Sequence, residues 1–186
     1  MNEKLNAIST AAAAVCAASG VAEAAHASGT YKVQCHEYEG GPLLWEEEIH
    51  NLVTTVGGNN MLDNQFSGSS YTAAWYLGLI STTSYTTGPA IGDTSASHAG
   101  WTEDQNYSQS TRPAASWNSA ASKSKALSSG AVFTMNATTT IKGCFLINNS
   151  TKGGSTGVLY SAGLFSGGDQ PVVSGNTLTV SYTASV

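Results

Sequence analysis

From residue 30 onward the chain alternates between apolar and polar positions. Tyr31, Val33 and Cys35 interleave with Lys32, Gln34 and His36, the period-two pattern of a strand with one buried face. Gly40-Gly41-Pro42 marks a turn, and Leu44, Trp45 and Ile49 fall in a second strand, so residues 30–50 read as a hairpin. A short helix follows. Thr54 or Thr55 can cap it, and Met61, Leu62 and Phe66 come at helical spacing, although Gly57 and Gly58 weaken its interior. The remaining apolar runs are short and strand-like, at 73–80, around Trp101, and at 115–117, 131–136, 139–147, 157–165 and 177–182. Turn-rich stretches separate them, including Gly88-Pro89, Lys152-Gly153-Gly154, Ser166-Gly167-Gly168-Asp169 and Ser174-Gly175-Asn176. The pattern predicts a mainly β domain over residues 29–186, an antiparallel β-sandwich or jelly roll with one short helix. The long linker at 81–96 is expected to cross between the two sheets, and no repeat of fixed period is present.

Residues 1–28 differ in kind. They are Ala-rich and interrupted by Gly20. Ala has the best helix propensity, yet it buries little surface. The stretch therefore reads as an N-terminal arm, helical or extended, that orders by lying on another surface. Leu5, Ile8 and Val15 are its candidate partner-binding residues. The run at 11–18 followed by Ala25-His26-Ala27 imitates a secretory leader with an A-x-A cleavage site. Glu3 beside Lys4, the scarcity of Leu in the run and Glu23 within the stretch argue against cleavage. No run of 18 apolar residues exists, so no membrane span is expected.

Composition sharpens the picture. Charged residues make up only 10% of the 186, well below the roughly 25% usual for a soluble domain. A surface this poor in charge suits a protein covered by neighbouring subunits. The seven Lys and Arg are scattered, with Lys123 and Lys125 the one close pair, and the net charge is −5. Direct nucleic-acid binding needs clustered cations and is not expected. The acidic residues do cluster, at Glu46, Glu47 and Glu48 beside Glu37 and Glu39. That cluster is either a solvated strand face or a docking site for a basic partner. The three cysteines, Cys16, Cys35 and Cys144, have neither disulfide-framework nor zinc-site spacing and read as buried free thiols.

Catalytic chemistry is hard to find. Asp93, His98 and Glu103 lie close together in sequence and could bind a metal or hold a base, but no nucleophile accompanies them, and a structural hydrogen-bonding role is the stronger reading. Ser122-Lys123-Ser124-Lys125 contains an S-x-x-K pattern without the companion motifs of the serine acyl-enzymes. No nucleophile elbow, P-loop or dinucleotide fingerprint appears. Trp75, Tyr76, Trp101, Tyr107 and Trp117 could stack sugars, but they fall in apolar strand patterns that point to core packing. No enzyme activity and no cofactor are expected.

Several segments, taken in order, carry a resemblance. They are residues 49–57 (IHNLVTTVG), Met61-Leu62-Asp63, residues 74–80 (AWYLGLI), Gly92-Asp93-Thr94, residues 97–103 (SHAGWTE), Thr111-Arg112-Pro113-Ala114, residues 153–160 (GGSTGVLY) and residues 165–169 (FSGGD). Together they resemble a family of virion structural proteins from tailed bacteriophages, from about residue 30 onward. The resemblance implies a virion component made in the host cytoplasm. It suits a capsid cement or decoration protein on the capsid surface, whose partners are the major capsid protein and copies of itself, with Glu46, Glu47, Glu48 and the arm as contacts. The alternative is a tail or head-fibre component that binds a host-surface receptor.

Overall fold

The computed structural model describes residues 26–67 and 74–186. The chain runs through β1 (Ser28–His36), β2 (Leu43–His50), β3 (Leu52–Val53), helix α1 (Thr55–Leu62), a π-helical turn (Asp63–Ser67), β4 (Trp75–Ser81), β5 (Glu103–Asp104) and β6 (Ala114–Ala115). It continues through β7 (Ser124–Ala126), β8 (Ala131–Thr134), β9 (Thr139–Ile147), β10 (Leu159–Leu164), β11 (Gln170–Val172) and β12 (Thr177–Ser185). The expected hairpin is present as β1 and β2, closed by a turn in which Gly40 takes φ +74° and the Glu37 amide donates to the Pro42 carbonyl.

Two antiparallel sheets make a sandwich. In the first, β12 is central: β1 pairs along its full length from Ser28↔Ser185 to His36↔Thr177, and β8 and β7 share its other side. β2 lies outside β1 and forms an edge of this sheet. The second sheet has the order β3–β10–β9–β4–β5, with β11 added to β9 and β6 to β4. The alternation read from the sequence now has its cause. Tyr31, Val33 and Cys35 point inward with Leu178, Val180 and Tyr182, against Leu77, Leu79, Cys144 and Leu146 of the opposite sheet. Cys35 and Cys144 are free and buried, as expected.

The second sheet is buried on both faces. Ile80, Phe145, Ile147, Leu159 and Ala162 project from its outer side and pack under Trp101. Gly78 sits opposite Phe145 in the ladder, and a Cβ there would lie 2.1 Å from the ring, so the missing side chain is what lets the phenyl group cross β4. The cover is made by the segment between β4 and β5. The expectation that residues 81–96 cross between sheets is therefore corrected: β4 and β5 pair within one sheet, Ile80 opposite Glu103, and the intervening chain folds back over that sheet's outer face. Apolar outward positions on β4 and β9 require such a lid.

Thr54 is the helix cap. Its hydroxyl accepts from the Gly57 amide at 3.1 Å and donates to the Leu159 carbonyl, tying α1 to β10. Gly57 faces the Tyr160 backbone, where a Cβ would fall 2.4 Å from the carbonyl oxygen, whereas Gly58 has open space around it. The two glycines should thus respond oppositely. Gly58→Ala is expected to stabilise by up to about 1 kcal/mol through helix propensity. Gly57→Ala gains the same term but must push backbone apart, and a net loss of about 1–3 kcal/mol is expected. Urea midpoints measured at unchanged slope check both.

Burial also sets the alkaline limit of the fold. It pushes the hydroxyls of Tyr31, Tyr107, Tyr160 and Tyr182 and the thiol of Cys144 upward, and raises the Cys35 thiol to about 11. Raised values mean that the folded state holds protons which the unfolded chain releases. Stability is therefore fully present below about pH 8 and falls as the pH climbs past the ordinary thiol and phenol values. Thermal midpoints measured from neutral pH to pH 11 should be flat and then decline.

Candidate functional site

Of the polar residues singled out in the sequence, Glu103 on β5 anchors a buried polar centre. Glu103 and Arg112 form a bidentate pair with side chains only 7% and 3% exposed. Glu103 Oε1 accepts from Arg112 Nε at 2.9 Å and from the Tyr107 hydroxyl at 3.2 Å. Its Oε2 accepts from Arg112 Nη2 at 2.9 Å and from the Gly153 amide at 2.6 Å. Arg112 spends its remaining donors on the carbonyls of Asn149 and Gly154, at 2.9 and 3.1 Å, and lies over the Phe145 ring. Neighbouring Asp104 is buried separately and accepts from the Asn106 amide and the Thr139 hydroxyl.

The trio Asp93, His98 and Glu103 is only partly assembled. His98 and Glu103 line a small cavity of about 210 Å³ together with Trp101, Gln105 and Arg112. Asp93 lies outside that lining and holds the Trp101 indole, accepting from its Nε1 at 2.8 Å and from the Ala90 amide at 2.9 Å. The His98 ring stacks on Trp101 with centroids 4.4 Å apart, and its Nδ1 donates to the Thr94 carbonyl at 3.1 Å. A general base needs a lone pair aimed at substrate. Both Glu103 oxygens are instead occupied by donors of the fold. No group of three or more His, Cys, Asp or Glu side chains is placed to hold a metal ion among the described residues. The S-x-x-K pattern forms a tight turn, with Ser122 and Lys123 at φ 50° and 60° and Lys125 donating to the Asn118 carbonyl.

The acidic triplet divides. Glu46 faces solvent, paired with Lys32 at 3.0 Å and accepting from Gln34 at 2.7 Å, and these hydrogen bonds hold its carboxyl below the usual range. Glu48 also faces out, while its carbonyl accepts from the Ser166 hydroxyl. Glu47 turns inward and accepts from Gln170 Nε2 at 2.7 Å and the Gly167 amide at 3.2 Å, closing a seam between the sheets. The period of two predicts this, because Glu47 shares its face with Trp45 and Ile49. Beside them Leu43 and Leu44 are exposed on the edge strand. The arm residues Leu5, Ile8 and Val15 lie outside the described residues.

A second depression opens at the end of the sandwich, where α1 and the π-helical turn meet the last residues of β12. It is an apolar groove of about 700 Å³, lined by Met61, Leu62, Phe66, Trp75, Trp117 and Val186, with Tyr160 and Tyr182 also contributing. Met61, Leu62 and Phe66 come at helical spacing in the sequence; Leu62 ends α1 and is half exposed, while Phe66 falls in the π-helical turn and is 81% exposed. Trp101 and Tyr107 are buried as expected, whereas Trp75 and Trp117 are only half-buried and border this groove.

If the Glu103–Arg112 pair is architectural, Glu103→Gln leaves a buried guanidinium without its counter-charge and should cost about 3–5 kcal/mol. Chemical denaturation of the variant, monitored by Trp fluorescence, measures this. No helix among the described residues is long and apolar enough to cross a membrane. No protein-family model matches the chain, and no curated protein matches it.

Proposed function

We propose that this chain is a structural component of a tailed-phage particle, a cement protein that binds the major capsid protein and neighbouring copies of itself. The observation that carries the reading is the edge strand β2. It runs eight residues along the margin of the first sheet with Leu43 and Leu44 exposed, Tyr38 exposed in the adjoining turn, and Glu46 and Glu48 facing out. Monomeric proteins blunt or cover such edges. An apolar margin flanked by carboxylates suits a partner surface that is apolar with a basic rim. Few charges elsewhere, and a polar centre spent on internal bonds, agree with a protein whose work is contact. A modest interface gains its strength by repetition over a lattice. The resemblance of the ordered sequence motifs to phage virion structural proteins is what suggests this kind of particle.

The rival reading, a tail or head-fibre component gripping a host receptor, needs aromatic side chains presented on loops. Among the described residues Tyr38 and Phe66 are the exposed aromatics, one in the turn after β1 and one in the π-helical turn, so they do not form a shared aromatic platform at a loop tip. Electron cryomicroscopy of purified particles separates the two. Density for this fold repeated over the capsid lattice is expected, and density confined to the tail or a fibre would overturn the cement reading.

A further inference from the structure

We infer that the apolar groove at the end of the sandwich is the seat of the chain's own N-terminal segment, residues 1–25, docked on the body it belongs to. This inference does not rest on the capsid reading. Three observations carry it. The groove is too apolar to stand open without consequence: Leu62, Phe66 and Val186, three of the large exposed hydrophobic residues, line it. An exposed patch of this kind marks a binding surface.

The second observation is where the chain enters the fold. Ser28 pairs with Ser185 and Gly29 with Ala184, and Gly29 lies so close to the Tyr182 ring that a Cβ would meet its hydroxyl at 2.2 Å. Tyr182, Ala184 and Val186 all line the groove. The segment that precedes His26 therefore starts beside the groove wall. Its 25 residues can reach about 37 Å as a helix or on the order of 80 Å extended, ample to lie along the depression.

The third is chemistry. Within residues 1–25 only Glu3, Lys4 and Glu23 carry charge. Leu5, Ile8, Ala12 and Val15 recur at steps of three and four, the spacing of one helical face. Such a stripe has its larger side chains at Leu5, Ile8 and Val15, and the groove offers Phe66, Trp75 and Trp117 to receive them. Attachment in the same chain makes this contact favourable at high effective concentration, so a few aliphatic side chains suffice.

The test uses the full chain with a photo-crosslinking amino acid in place of Ile8, irradiated as an equal mixture of unlabelled and nitrogen-15-labelled protein. Cross-links from position 8 to residues 60–66, 117 or 184–186, within chains of one isotope, are expected. Mixed-isotope cross-links to the same residues would overturn docking in cis and show exchange between copies. Cross-links elsewhere, or none, would overturn the seat itself. A second readout covers loss of the cross-linker's own packing. Leu5→Asp, Ile8→Asp and Val15→Asp combined should raise the fluorescence of an added hydrophobic dye several-fold while the variant still unfolds in one cooperative transition. No rise, the result expected if residues 68–73 fill the groove instead, contradicts the inference.

Discussion

Glu103 and Arg112 meet where the lid over the second sheet must be fastened. The sheet needs a lid because β4 and β9 carry apolar side chains on both faces, and the segment that supplies it brings Trp101 and Tyr85 to that face. Two aromatic side chains hold a stretch this long only in part. The ion pair adds the fastening: through Glu103 it grips β5, Tyr107 and Gly153, and through Arg112 it grips the carbonyls of Asn149 and Gly154. Two charges leave water there because they pair with each other and each makes further hydrogen bonds to the fold. The same saturation leaves the Glu103 carboxylate, engaged by four donors, without a free lone pair.

What then remains uncovered decides how the protein can act. The first sheet ends in β2, with two leucines and two outward carboxylates on its margin. The opposite resource is the groove beside α1, where the π-turn rotates Phe66 away from the core. Both are contact surfaces, and they differ in what they ask of a partner. The β2 margin offers backbone hydrogen bonds and acid, suited to another folded subunit. The groove offers concave apolar surface, suited to a short segment with a stripe of aliphatic side chains.

Much of this was legible in the sequence because it is local. The period of two in residues 31–36 placed Tyr31, Val33 and Cys35 inside, and of the two cap candidates Thr54 and Thr55 it is Thr54 that caps the helix. Trp101 and Tyr107 were read as core and are buried. The sheet assignment of the 81–96 linker failed because its length says nothing about which strand follows, and the two-residue β5 has no periodicity to detect. The partners of Arg112 lie 37 and 42 residues away in a turn, so no spacing rule reaches them. Met61 and Leu62 do lie in the expected helix, whereas Phe66 falls in the π-helical turn beyond it, where α-helical spacing no longer applies.

The central claim is that the molecule acts through its uncovered margin and not through the saturated polar centre. Hydrogen exchange, read by mass spectrometry on the free protein and on the protein incorporated in the particle proposed for it, tests it most directly. The account predicts added protection over residues 43–50, with the segment from Asp93 to Arg112 already protected in the free protein and unchanged on binding. Added protection confined to the cavity lined by His98, Trp101 and Glu103, with β2 exchanging as freely as before, would contradict it.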